Sequence, residues 1–408
     1  MKNVFDNILG LIGNTPLVKL NEVTKEIPAK VYAKLEAYNP GHSTKDRIAL
    51  HIIEAAERKG LLKPGATIVE TTSGNTGFSI AMVSIIKGYK CILSVSDKTK
   101  PEKIAYLKAL GATVYVCPAS VPADDPRSYY EVAKKIAAET PNSIYINQYF
   151  NELNIDAHYS STGPEIWEQT EGKITHIFAC TGTGGTLSGS AKFLKEQNPD
   201  IKVIGVDADG SILKTYHETG KINYSEIHSY QIEGLGKNLI PGALLFDKID
   251  QFIRVNDEMS AYTTREIALK EAIMGGYTTG AVLQALRQYA NSNPLKNTSS
   301  SVPAFLSFAF GFASLIFASS TPLTPILVPS KIAMPASTIQ PSPKGIPVTE
   351  FAPRSVFSPM LTGLPFVPLS TPKILAPPPT SLPLPTTTDE LIRPSTITAP
   401  VVPALKLT

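Results

Sequence analysis

The chain has 408 residues, with 38 Lys and Arg against 35 Asp and Glu for a net charge of +3. Its 43% hydrophobic and 18% charged residues fit a globular protein with ample core and leave no electrostatic footprint for nucleic acid. Three widely spaced cysteines without a CxxC pair, and six histidines without ligand spacing, point away from a disulfide framework or a metal site and towards a reducing, cytoplasmic setting.

In chain order, the first feature is "NPGHSTKDRIA" (39–49), which places Lys45 just inside a helix start after two hydroxyl residues. Short β-branched runs then alternate with longer amphipathic ones. Strands are expected at 67–70, 90–95, 113–117 and 143–147, with helices at 75–87, 101–110 and 128–139 between them. A second series has strands at 175–180 and 202–208 around a helix at 186–196. Strand–helix–strand spacing at these lengths predicts βαβ units, hence parallel sheets covered by helices. The loop near 118–127 and the irregular 148–160 divide the series into two α/β halves with a cleft between them.

The last predicted helix, in 278–297, runs into a change of character. Of the 34 prolines, 21 fall in 297–408, where Ser and Thr are common and charges few. Proline removes backbone donors and blocks helices, so this stretch reads as a disordered or aberrant tail rather than a packed domain. Its apolar run 304–318 is too short for a membrane span and reads as a peripheral patch. The expected organisation is a core of residues 1–296, with a smaller lobe at about 41–149 and a larger one from 1–40 and 150–296, and a tail over 297–408.

Two loops at strand ends carry chemistry. "TTSGNTG" (71–77) offers hydroxyls, an amide and glycines without charge, suited to an anion at a helix N-terminus; its length and lack of lysine exclude a Walker A loop. "TGTGGTLSG" (181–189) is a phosphate cradle at a helix start. A dinucleotide site ranks second, with Asp207 as its ribose-binding acid, because GxGxxG needs glycine where Leu187 stands. Such a cradle, an uncharged loop and a lysine among small residues are the parts that pyridoxal phosphate requires, with the Thr278 hydroxyl of "GGYTTGA" (275–281) available to its ring.

Five motifs in order, "IGNTPLVKL" (12–20), "NPGHSTKDRIA", "ETTSGNTG", "TGPEIW" (162–167) and "GTGGT" (182–186), resemble the fold type II pyridoxal-phosphate enzymes, the cysteine synthase and cystathionine β-synthase group. The resemblance covers about residues 5–296. It implies a two-lobed, tryptophan synthase β-like α/β fold with three-layer αβα lobes, and a homodimer. It also implies that Lys45 holds pyridoxal 5'-phosphate and later moves the Cα proton, while Asn75 bonds its ring hydroxyl. Gly182, Thr183, Gly184, Gly185 and Thr186 would bind the phosphate and Thr278 the ring nitrogen. Thr72, Ser73, Gly74 and Thr76, with Gln148, would bind the substrate carboxylate. His42 stands where many members have glycine, and Thr71 where many have proline.

"GVDADGSIL" (205–213), "IEGLGKNLIP" (232–241) and the loop 117–130 resemble cystathionine β-synthase more than cysteine synthase. The implied reaction is β-replacement on L-serine or O-acetyl-L-serine by a thiol, homocysteine first and sulfide as the alternative. Glu233 and Lys237 lie where a second substrate would enter. The family's closing strand after residue 296 is missing on this reading, and neither a haem segment nor a paired regulatory module is expected. Readings from other classes are an inactive or tail-driven interaction protein and a nicotinamide-binding oxidoreductase. The partners expected are small amino acids and a thiol or sulfide.

Overall fold

The computed structural model of the chain describes residues 4–72, 74–122 and 124–293, and the backbone of 303–308. In chain order the elements are β1 (Leu17–Leu20), β2 (Lys30–Leu35), α1 (Lys45–Arg58), β3 (Thr67–Thr71), α2 (Asn75–Lys87), β4 (Lys90–Ser96), α3 (Pro101–Ala109), β5 (Thr113–Cys117), α4 (Tyr129–Glu139) and β6 (Ser143–Tyr145). There follow α5 (Leu153–Tyr159), α6 (Thr162–Gln169), β7 (His176–Cys180), α7 (Gly185–Gln197), β8 (Lys202–Ala208), α8 (Leu213–Thr219), β9 (Gln251–Val255), α9 (Asp257–Glu271), α10 (Tyr277–Ser292) and β10 (Pro303–Phe308).

Local chemistry accounts for many of these boundaries. Pro101 opens α3, where its missing N–H costs no helical bond. Ser128 caps α4 by accepting from Glu131 N, and Asn256 caps α9 by accepting from Met259 N. Gly88 ends α2 at φ 75°, a left-handed conformation that glycine adopts without strain.

The strands form two sheets. One is wholly parallel in the order β5-β4-β3-β6. Its central β3 is buried at all five positions, which explains why "TIVET" alternates so little. The other has the order β1-β2-β10-β7-β8-β9 and is parallel except for the antiparallel β1–β2 pair. Ile48, Ile52 and Ile53 of α1 join Ile68, Ile80 and Leu93 in the core of the four-stranded sheet. The six-stranded sheet carries a core on each face, one including Phe178, Ile204 and Leu283, the other Ile177, Leu187 and Phe252. The α/β fold with parallel sheets expected from the strand–helix spacing is present.

Three expectations need correction. The irregular stretch 148–160 contains α5, a helix short enough to escape a periodicity argument. The closing strand is not missing: β10 lies between β2 and β7, with Phe305 opposite both Tyr32 and Ile177, inside the segment whose prolines suggested a tail. "PAFLSF" contains a single proline at its first position, where a strand tolerates it, so the average composition of 297–408 concealed it. The core therefore extends past residue 296. The expectation of disorder for the rest of the tail, from residue 309, lies outside the described residues.

Candidate active site

Both chemistry-bearing loops follow the C-terminal ends of parallel strands, the usual ligand position in open α/β sheets. Residues 72–74 connect β3 to α2, and 181–184 connect β7 to α7. Gln148 follows β6, Thr278 is the second residue of α10, and Lys45 is the first of α1. His42, just ahead of Lys45, has φ 58°, a left-handed conformation that glycine adopts without strain.

Lys45 is partly buried, and its Nζ donates to Thr44 Oγ1 at 3.3 Å. It makes no ion pair among the described residues. Desolvation lowers its pKa to about 8, and the nearby Lys237 ammonium adds to that shift. An amine in this state is a usable nucleophile and base near neutral pH.

The loop before α2 is organised internally. Thr72 Oγ1 accepts from Gly74 N at 3.1 Å and Gly77 N at 3.2 Å, so its hydroxyl braces the turn. Thr76 Oγ1 donates to Gln148 Oε1 at 2.8 Å, and Gln148 Nε2 donates to the Thr71 carbonyl at 3.2 Å. Asn75 opens the helix. Ser73 lies outside the described residues.

Close approach on three sides explains the glycines of the second loop. A Cβ on Gly182 would lie 2.6 Å from the Gly234 carbonyl, and one on Gly185 would lie 2.0 Å from Asn154 Oδ1. Gly184 has φ +89°, and its Cβ would strike Leu244. No side chain caps α7, whose first amides have no intrahelical acceptor. Asn154 Nδ2 donates to the Gln148 carbonyl at 2.8 Å and to Thr183 Oγ1 at 3.0 Å, tying the two loops together. The Thr186 hydroxyl lies 3.1 Å from His158 Nε2, and His158 Nδ1 lies 2.8 Å from Thr162 Oγ1. Burial lowers the His158 pKa to about 3, so the ring is neutral. Cys180 Sγ donates to the Thr278 carbonyl at 3.5 Å, joining the strand before this loop to α10.

These residues fit a phosphorylated pyridine aldehyde. The cradle is uncapped, lined by glycine and two hydroxyls, and free of cations, as a helix-dipole phosphate site can be. The amine is desolvated and makes no ion pair among the described residues. Two buried hydroxyls, Thr71 Oγ1 and Thr279 Oγ1, next in sequence to Thr72 and Thr278, also have no hydrogen-bond partner among the described residues. By contrast Asp207 suits no ribose, because Oδ1 accepts from Ala208 N and Oδ2 from Lys214 N, each at 2.9 Å.

The sequence reading missed Asn154 and His158. They stand four residues apart on α5, and such a polar i, i+4 pair was the available signal. His158 bonds Thr162 and Thr186, and Cys180 bonds the Thr278 carbonyl of α10, so each does more than fill space.

Among the described residues no helix is long and apolar enough to cross a membrane, and no group of three His, Cys, Asp or Glu could hold a metal. A cystathionine beta-synthase of Apis mellifera is 44% identical over 293 residues, covering 71% of this chain and 57% of that protein. The chain thus spans little more than half of that relative's length. A cysteine synthase of Staphylococcus aureus (strain Mu50 / ATCC 700699) is 40% identical over 286 residues, covering 70% of this chain and 88% of the relative. The crystal structure of an O-ureido-L-serine synthase superposes with a TM-score of 0.68 at 29% identity, covering 76% of this chain and 92% of that one. Residues 8–303 match the family model described as pyridoxal-phosphate dependent enzyme, and with the lysine and the cradle in place the chain belongs to that family.

Proposed function

We propose that the chain replaces the β-substituent of L-serine or O-acetyl-L-serine with a thiol, as a cystathionine β-synthase does with homocysteine. Cysteine synthesis from sulfide is the second reading, favoured by the Staphylococcus aureus relative, of which this chain covers 88%. The observation that carries the proposal is the desolvated Lys45 amine, in no ion pair among the described residues, beside an uncapped glycine cradle.

When bound, pyridoxal phosphate supplies an aldehyde for amines and an electron-withdrawing ring. On this reading Lys45 holds the cofactor, takes the proton from the substrate Cα, and returns one to the departing β-group. Serine's hydroxide needs that proton; acetate leaves without it. The amides and hydroxyls of Gly182, Thr183, Gly184, Gly185 and Thr186 hold the phosphate, with Asn154 and the neutral His158 orienting the two threonine hydroxyls. Asn75 bonds the ring hydroxyl. The 72–76 loop and Gln148 hold the substrate carboxylate, their geometry set by the Thr76–Gln148 bond. Thr278 offers the ring nitrogen a hydroxyl, which does not keep it protonated as a carboxylate would. Weaker electron withdrawal favours prompt loss of a β-substituent over racemisation. A homodimer and a cytoplasmic setting complete the reading, the latter in keeping with three buried free thiols.

The test is the visible absorption of the purified, cofactor-loaded protein before and after L-serine or O-acetyl-L-serine. A cofactor band that changes with the amino acid is expected. Lys45→Ala should lose that band and reduce β-replacement by about 10²- to 10⁴-fold or more. A Lys45→Ala variant with undiminished turnover would overturn the assignment.

A further inference from the structure

Lys237, which the sequence puts where a second substrate would enter, sits in a built setting. Its N–H donates to Ser211 Oγ at 2.9 Å, and its carbonyl accepts from Ile212 N at 3.0 Å. Gly236 N donates to the Thr181 carbonyl at 2.8 Å, which seats the segment on the phosphate loop. The Lys237 Nζ lies 4.9 Å from the Tyr149 ring centroid and 3.3 Å from its hydroxyl. Tyr149 directly follows Gln148, the residue assigned above to the substrate carboxylate, and the Lys237 charge acts on Lys45.

The cation has no ion-pair partner among the described residues. Glu233, the acid closest to it in sequence, is engaged with Lys103 at 2.5 Å. Desolvation lowers the Lys237 pKa to about 8, with no carboxylate raising it. Desolvation lowers both amines, and Lys237 adds to the shift of Lys45 that Glu36 and Cys180 partly oppose; an ammonium buried without an ion pair is a costly arrangement until an anion arrives. The cradle accounts for the cofactor's phosphate, and the 72–76 loop with Gln148 accounts for the first carboxylate. The anion left over is that of the second substrate.

We propose that Lys237 receives the carboxylate of the second substrate, so that the incoming thiol is an amino-acid thiol rather than free sulfide. The inference rests on the β-replacement reading and names its nucleophile class. Tyr149 keeps the ammonium placed without neutralising it, as a docking cation requires.

The experiment uses the cofactor-loaded full chain with saturating donor. It compares kcat/KM for L-homocysteine with that for homocysteamine, which lacks only the carboxylate. The parent should prefer homocysteine. In Lys237→Met, whose apolar stem still covers Tyr149, that preference should fall roughly 10- to 100-fold, the loss of one charge-assisted bond. Lys237→Arg should retain most of it. An unchanged ratio in Lys237→Met overturns the inference even if both rates fall, and so does a parent that accepts only sulfide. The absorption response to donor alone, without thiol, separates the two levels. If it is absent in the parent, the β-replacement reading fails and takes this one with it; if present with an unmoved ratio, only the assignment of Lys237 fails.

Discussion

His158 shows how one buried residue makes stability sensitive to acid. It is 1% exposed, lies between the hydroxyls of Thr162 and Thr186, and is held neutral by burial. Its folded pKa of about 3 lies below the ordinary value of 6.5, so the unfolded chain binds the proton more readily. Stability from this group is complete above about pH 6.5 and is lost as pH falls towards 3. His158→Gln should therefore lose less stability than the parent between about pH 7 and pH 4, by a difference on the order of 2 kcal/mol. Thermal melts of both proteins across that range check this; parallel acid limbs would contradict it. Lys45 was legible because a lysine after "NPGHST" is singled out by the residues around it. Asn154 and His158 were not, because their meaning comes from what they touch: the Gln148 carbonyl and two threonines at 183 and 186.

Among the elements, β10 carries the largest correction. Its ladder runs from Pro303 opposite Lys30 to Phe308 opposite Leu35, and on its other edge from Ala304 opposite His176 to Leu306 opposite Phe178. Removing it would expose two rows of backbone groups in the middle of a sheet whose partners lie far apart in sequence. A chain ending at Asn297 should lose cooperative unfolding and cofactor retention, since a domain's whole stability is only about 5–15 kcal/mol. A chain ending a few residues after Phe308 should keep both. Circular-dichroism melts and the visible cofactor band compare them; equal behaviour would mean that the strand contributes little. The strand was hidden because a proline count over a long stretch says nothing about six consecutive residues. The helix 75–87 and the strands 113–117 and 202–208 were legible at their observed bounds, since Gly88 and the β-branched runs mark them locally.

At the scale of the whole molecule, α1 connects the sheets. Its isoleucines pack into the core of the four-stranded sheet, while Arg47 reaches residues around the six-stranded one. Arg47 bonds both carboxylate oxygens of Glu36, at 2.8 and 2.7 Å, and both of Glu165, at 2.6 and 2.8 Å. Lys34 completes the group with a 2.6 Å bond to Glu165. Burial opposes the Glu36 charge, but the Arg47 guanidinium overcomes it and holds the carboxyl at about 2. That contribution is present above the ordinary value of 4.5 and is lost as pH falls through about 2. Arg47→Met would leave Glu36 buried and unpaired, at a cost of about 3–5 kcal/mol. Denaturant titration should show that loss, and adding Glu36→Gln should recover part of it. A single variant as stable as the parent would show that the network does not join the sheets.

From residue order alone came the alternating α/β plan and the cofactor class, with Lys45 and the two glycine-bearing loops as the candidate site. Each is written within a dozen or so consecutive residues, where strand propensity, glycine placement and helix starts act locally. The tertiary structure decided what depends on residues distant in sequence. It placed β10 between β2 and β7, brought Asn154 between Gln148 and Thr183, and set Lys237 over Tyr149 in reach of Lys45. The physical reason is that desolvation and pairing belong to the packed interior: whether a lysine is an ordinary surface charge or a perturbed amine depends on which distant groups fold around it.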